Sequence, residues 1–159
     1  MNKFKPHVVI LPEDDANRQL ALGFERNPYI DRRSILVEEP AGGWTQLYQR
    51  FNADHVLNMD RVPLRLMILL VDFDRQANRL DEVMRHVPER LRNRVFVIGS
   101  WNNPERLKSE LGSRSEEIGS ALAEECRTGQ VGTWNHELLK HNVPELERMS
   151  AAIRPALFP

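Results

Sequence analysis

Two short acidic runs hold the residues whose types and spacing suit chemistry: Glu13-Asp14-Asp15 and Asp72-Phe73-Asp74. Each follows an apolar, β-rich run, Ile10-Leu11-Pro12 in the first case and Leu70-Val71 in the second. Glu38-Glu39 closes a third such run with a less compact cluster. In an extended chain, residues two apart project to the same side, which predicts that Asp72 and Asp74 converge while Phe73 packs the other way. Carboxylates this close repel one another and raise at least one pKa unless a cation binds. Mg2+ (or Mn2+) suits such a site, because it takes oxygen ligands and combines one or two protein carboxylates with waters and substrate phosphate. Glu13, Asp72 and Asp74 are therefore the candidate catalytic and metal residues, with Asp14 and Asp15 as secondary ligands. A carboxylate left uncoordinated, such as Glu13, orients or deprotonates an attacking water. Acids after strands also cap helices and favour the positive end of the helix dipole, a duty that suits Asp15 before Ala16-Asn17 and Asp74 before Ala77. Capping accounts for any one acid taken alone. Two clusters ending two strands of one sheet point instead to a metal or phosphate site.

The elements that must position these acids are legible as alternating patterns. Four continuous apolar runs, residues 7–11, 34–38, 66–71 and 95–98, read as strands covered on both faces. Between them lie amphipathic stretches: Ala16, Leu20 and Phe24; then Trp44, Leu47, Tyr48 and Phe51; then Ala77, Leu80, Val83, Met84 and Val87, stopped by Pro88. Strands alternating with helices predict right-handed crossovers and an α/β fold with a mostly parallel four-stranded sheet and helices on both faces. In such sheets ligands gather beyond the carboxyl ends of the strands, where the two acidic runs fall. Residues 29–33 and 52–62 read as exposed loops. Beyond residue 99 the chain turns helical: Asn103 suits an N-cap, Pro104 a first helical position and Gly112 an exit. Ser113 with Glu116 suits a capping box ahead of Ile118, Leu122 and Cys126. A polar stretch over 128–133 precedes a last helix carrying Leu146, Met149 and Ile153, ended by Pro155. The expectation is one domain over 1–159, with a core at about 7–99 and a helical C-terminal extension at about 100–159.

Composition bounds the function classes. With 159 residues, 41% apolar, 28% charged and a net charge of -1, the chain is neither disordered nor globally basic, so it lacks the overall charge of a nucleic-acid or anionic-membrane binder. The local clusters Arg90-Leu91-Arg92-Asn93-Arg94 and Asp31-Arg32-Arg33 read as solvated surface. Cys126 is the only cysteine, so no internal disulfide forms; a reducing, cytoplasmic setting is expected, with the thiol buried and inert. Met1-Asn2-Lys3-Phe4-Lys5-Pro6 runs straight into a strand without the apolar stretch of a secretory signal, and the longest apolar run, 66–71, is too short to cross a bilayer. In the tail, His136 and His141 stand about 140° apart on an ideal helix and do not share a face. Trp101 and Trp134 suit base stacking or, more commonly, core and partner packing.

Taken together, the acidic residues resemble the signature of a TOPRIM domain, the catalytic fold shared by topoisomerases, primases and the overcoming-lysogenization-defect nucleases. That family carries a glutamate just after its first strand, matched by Glu13, and an Asp-x-Asp pair after its third, matched by Asp72 and Asp74. The similarity covers about residues 7–99. It implies that Glu13 is the acid/base or metal-binding residue, that Asp72 and Asp74 hold magnesium, and that the activity is a Mg-dependent nuclease or phosphodiesterase acting on nucleic acid (DNA or RNA). Membership in a defence system with an ATPase partner is a further implication. The family commonly has glycine after the glutamate, where this chain has Asp14.

Leu11-Pro12-Glu13-Asp14-Asp15-Ala16-Asn17-Arg18 is also similar to the acidic turn that opens a response-regulator receiver domain. This second resemblance implies magnesium at Asp14 and Asp15, phosphorylation of Asp72 and a switch hydroxyl at Ser100. The fifth strand and following lysine of that pattern are missing, since Lys108 falls within an expected helix. A third expectation is a non-catalytic protein that binds a partner through its helical tail.

Overall fold

The computed structural model describes residues 1–159. Its elements run β1 (His7–Pro12), α1 (Asp15–Glu25), β2 (Ile35–Val37), α2 (Trp44–Arg50), α3 (Val56–Arg61), β3 (Arg65–Leu70), α4 (Arg79–Met84), β4 (Val95–Ile98), α5 (Pro104–Leu111), α6 (Ser115–Thr128) and α7 (Val143–Leu157). The four strands form one sheet in the order β2-β1-β3-β4, and every pair is parallel. The expected α/β architecture is therefore present, with helices on both faces.

The continuous apolar runs explain the two-sided burial. Val8, Ile10, Ile68, Leu70, Phe96 and Ile98 point to one face and pack with residues of α1, α5, α6 and α7. Val9, Leu11, Met67, Leu69, Val95 and Val97 point to the other and pack with Leu47, Phe51, Met59 and Val83. The C-terminal helices are thus one of the two layers covering the sheet: Leu146, Met149 and Ile153 of α7 share a core with β1 and β3.

Close approach between α1 and α6 needs glycine on both helices. A Cβ on Gly119 would stand 2.2 Å from the Leu20 carbonyl oxygen, and one on Gly23 2.5 Å from that of Glu116. Backbone atoms cannot yield at such distances, so the helices meet along a Gly-bearing seam.

α7 also solves the problem of an open sheet edge. Unpaired strand amides and carbonyls are costly when buried, and β4 has no fifth strand beside it. Side chains three residues apart on α7 take that place. Arg148 donates to the Val95 carbonyl (2.6 Å), Glu145 accepts the Val97 amide (2.9 Å), and Asn142, just ahead of the helix, accepts the Gly99 amide (3.1 Å) and donates to its carbonyl (2.9 Å). Glu145 is 7% exposed, and its charge is matched by Arg148 at 2.8 Å.

Several local expectations hold and others change. Asn103 caps α5 by accepting the Arg106 amide (2.9 Å), and Gly112 ends it at φ 61°. Of the expected loop at 52–62, residues 52–61 are helical: Phe51–His55 forms a wide i→i+5 turn that continues into α3. Phe51, His55 and Met59, four residues apart, are all buried, and the intervening Asn52, Ala53 and Asp54 hide that face from a hydropathy pattern. No capping box forms at Ser113 and Glu116; α6 begins after Arg114 without a side-chain cap, and Ser113 donates to the Leu111 carbonyl instead. Pro155 lies inside α7, not at its end, because a missing amide in the last turn is tolerated while Ala156 and Leu157 remain anchored in the core.

Replacing Glu145 with alanine strips the Val97 amide of its buried acceptor. The expected loss is about 1–3 kcal/mol of folding free energy, read as a lower urea midpoint with an unchanged slope.

Candidate metal centre

The sheet order creates the site. From β1 the chain moves outward to β2, whereas from β3 it moves the other way to β4, so the crossover helices leave on opposite faces between β1 and β3. The loops that leave the carboxyl ends of those two strands therefore diverge, the place where open parallel sheets gather ligands. The register pairs Pro12 with Leu70, which sets the first acidic run level with the second.

Hydrogen bonds then fix the acids against each other. The Glu13 amide continues the ladder onto the Leu70 carbonyl (2.9 Å), and the Glu13 carboxylate reaches across to accept the Asp72 amide through Oε2 (2.9 Å). Asp14, not Asp15, is the N-cap of α1: its Oδ1 accepts the Asn17 amide at 2.9 Å. The fully buried Asn17 side chain lies between the loops, donating through Nδ2 to Asp14 Oδ1 (2.9 Å) and Asp72 Oδ1 (3.2 Å). Carboxylate oxygens of Glu13, Asp14 and Asp72 thereby lie within 4.8 Å of one another, a donor set that could hold a metal ion. Asn17 Oδ1, on the far side of the amide from these acids, is buried with no hydrogen-bond partner. Across the top, the amides of Gly42 and Gly43 both donate to the Glu13 carbonyl at 3.0 Å, and Gly43 sits at φ 135°.

Asp74 is elsewhere. The extended geometry that would have aimed it alongside Asp72 ends one residue early: Asp74 and Arg75 adopt φ 49° and 59°. The Phe73 amide donates to the Ser100 carbonyl (2.9 Å) and that of Arg75 to the Trp101 carbonyl (2.8 Å), which forces this turn. Asp74 then pairs with Arg79 at 3.1 Å. Asp14 occupies the third place in the cluster, and Asp15 stays exposed in the first turn of α1. The Glu38-Glu39 run is spent on ion pairs, Glu38 with Arg50 (3.0 Å) and Glu39 with Arg18 (3.3 Å).

Electrostatics follow from this crowding. Burial, reinforced by Asp14, Glu13 and Asp74 and opposed by the Asn17 hydrogen bond, pushes the Asp72 carboxyl up to about 7. Burial also raises Glu13, opposed by the Asp72 amide and reinforced by Asp14 and Asp74. Both shifts favour a proton or a cation at the cluster.

The other singled-out residues are structural. Trp134 is buried and donates its indole N–H to the Leu122 carbonyl (3.1 Å), so it packs rather than offering a stacking platform. His141 lies against Phe73 and Trp101, ring centroids 4.4 and 5.1 Å away, with Nε2 2.8 Å from the Gly99 carbonyl. Burial, only partly offset by that carbonyl, holds its pKa down at about 4, so the ring is neutral and Nε2–H donates. It braces the loop between Asp72 and Asp74 from behind. His136 stands 3.7 Å from Glu110, apart from His141's surroundings. Burial pushes the Cys126 thiol up to about 11, which leaves it inert. The Ser100 hydroxyl is buried and donates to the Asn103 carbonyl (3.2 Å). The Arg90 cluster is partly structural, since Arg94 donates to the Val62, Arg65 and Met59 carbonyls. No helix is long and apolar enough to cross a membrane.

Reasoning from sequence missed Asn17 and Arg79. Asn17 had a local signal, standing three residues after an N-cap, but its reach to Asp72 depends on the β1–β3 register. No protein-family model, curated protein or solved structure matches this chain.

The raised Asp72 pKa predicts a pH dependence with a definite sign. The unfolded chain releases this proton near the ordinary carboxylate value and the folded one near 7, so the folded state binds more protons in between and metal-free stability falls as pH rises across that window. Asp72→Asn removes this loss: its thermal midpoint exceeds the wild type's by a few degrees at pH 8, and the gain shrinks towards pH 4, as followed by circular dichroism. A gain of equal size at both pH values contradicts the assignment.

Proposed function

We propose that this protein is a divalent-metal-dependent phosphodiesterase or nuclease of TOPRIM-like character, with Glu13, Asp14 and Asp72 as its working carboxylates. One observation carries the reading: three carboxylates from two distant loops meet within 4.8 Å at the switch point of a parallel sheet. Hard oxygen donors in that number fit Mg2+ or Mn2+. When bound, such an ion offsets the carboxylate charge and polarises a phosphate oxygen. Asp72 and Asp14 serve as ligands, oriented by Asn17. Glu13 keeps Oε2 on the Asp72 amide, which aims its second oxygen, and burial raises its pKa above the ordinary carboxylate value, the direction that makes it a stronger base towards water. Where TOPRIM-like chains commonly have glycine, Asp14 supplies an extra ligand, while Asp74 is reserved for Arg79. DNA or RNA is the substrate class by this reading, and a defence-system ATPase its partner class.

Calorimetry with Mn2+ and cleavage assays on DNA and RNA test it. Wild type binds the ion; Asp72→Ala and Glu13→Gln abolish metal-dependent cleavage, and Asn17→Ala weakens binding by about 10-fold as an orienting residue should. Absence of binding at millimolar Mn2+ sinks the proposal.

A second reading has one observation in its favour: the cluster pairs Asp72 with an acid of the β1–α1 turn, as a receiver domain does. In that reading Asp72 is a phosphoryl acceptor. Two features weigh against it. The side of β4 where a fifth strand and lysine belong is taken by α7, and the Ser100 hydroxyl is turned to Asn103. Incubation with acetyl phosphate and Mg2+ is expected to leave the intact mass unchanged; an added phosphoryl group, lost in Asp72→Asn, would favour this second reading.

A further inference from the structure

Arg79 is an unusual occupant of its position. It is 7% exposed, opens the short helix α4, and makes a single hydrogen bond, from one terminal nitrogen to Asp74 Oδ2 at 3.1 Å. The plane of its guanidinium lies over the Trp44 ring, 4.3 Å from the centroid, which fixes its direction. Its Nε is buried with no hydrogen-bond partner, as are the nearby Glu82 Oε2, 3.9 Å away, and the Tyr48 hydroxyl. Arg79 acts electrostatically on Glu13 and Tyr48 alike, and burial with the Glu82 charge pushes the Tyr48 hydroxyl up to about 12, so it stays a neutral donor.

A buried guanidinium normally satisfies most of its five donors, and carboxylate or phosphate oxygens are the partners that match its fork. Here the only hydrogen-bonded partner is Asp74, a carboxylate whose side chain is 59% exposed and anchored by nothing else, while Glu82 stands at ion-pair distance from Nε. Stacking on Trp44 holds the cation in place without using up its donors. Through Asp74 the cation is tied to the loop that carries Asp72, and its charge is felt at Glu13; a held cation with donors in reserve there is the arrangement needed to receive an anion that the acids alone would repel.

We propose that Arg79 is the phosphate-binding group of the acidic site, receiving the non-bridging oxygens of a phosphate ester while Asp74 serves as its stand-in acceptor when no ester is bound. The proposal rests on the metal-site reading above and deepens it: the ligand is a phosphoryl group held between an ion at Asp14 and Asp72 and the Arg79 guanidinium. Asp74 and the ester compete for one cation, so its removal frees the guanidinium.

The test uses inorganic phosphate as the probe and the Mn2+-loaded full chain, following paramagnetic relaxation of the phosphorus resonance, with Mn2+ affinity measured separately for every variant. Arg79→Gln is expected to weaken phosphate binding by about 10-fold or more, the size of one lost charge-assisted hydrogen bond, with Mn2+ still bound. Asp74→Asn is expected to move the opposite way, tightening phosphate binding severalfold. A guanidinium that merely pins the loop from Asp72 to Asn78 would give no gain on Asp74→Asn, so that variant keeps the test decisive if Arg79→Gln does not fold. Mn2+ bound with phosphate affinity unchanged in the variants overturns the proposal and leaves the metal reading intact. Failure of the wild type to bind Mn2+ brings down both.

Discussion

The carboxylate of Glu13 resting on the backbone amide of Asp72 is the contact around which this site is built. It joins the ends of β1 and β3 beyond their last ladder bond and sets an anion where two further acids converge. The contact depends on parallel pairing in one register; a slip of one residue would turn both acidic loops to other sides of the sheet. Everything that secures β1 against β3, from the two-faced apolar core to the Gly-bearing seam of α1 and α6, therefore also secures the spacing of the acids.

The C-terminal helices contribute more than coverage. α7 supplies the missing edge partner of β4 through Asn142, Glu145 and Arg148, and so lets a four-stranded parallel sheet end without a bare strand. The loop after β4, held by Asn142 and His141, in turn accepts the amides of Phe73 and Arg75. A chain of backbone contacts thus runs from the last helix to the loop that carries Asp72 and Asp74. That chain turns Asp74 away from the carboxylate cluster and towards Arg79.

Crowding of the acids at this sheet edge carries an electrostatic cost. Asp72 and Glu13 are both pushed towards the protonated form by burial and by the charges of Asp14 and Asp74. Local structure opposes this with donors, the Asp72 amide for Glu13 and the Asn17 amide for Asp72, and these suffice to orient the acids without neutralising them. The cluster thus keeps its shape through a scaffold of hydrogen bonds while its acids still repel one another.

Much of this was open to inspection in the residues themselves. Continuous apolar runs alternating with amphipathic stretches specify parallel strands and crossovers, because strand burial on two faces and helix burial on one leave different periods. The position of acids after two strands follows from the same reading, as do the Asn103 cap and the Gly112 exit of α5, whose signals are local. The helix over 51–61 escaped because its inward face is marked only every fourth residue, by Phe51, His55 and Met59. Which acids meet was not local at all. Alternation along an extended strand joined Asp72 to Asp74, but bonds from Phe73 and Arg75 to a loop nearly thirty residues away bend the chain there, and capping geometry brought Asp14 in instead. Element type is decided within a few residues by periodicity and steric preference; the membership of a site is decided by contacts between loops remote in sequence, and those exist only once the sheet has formed.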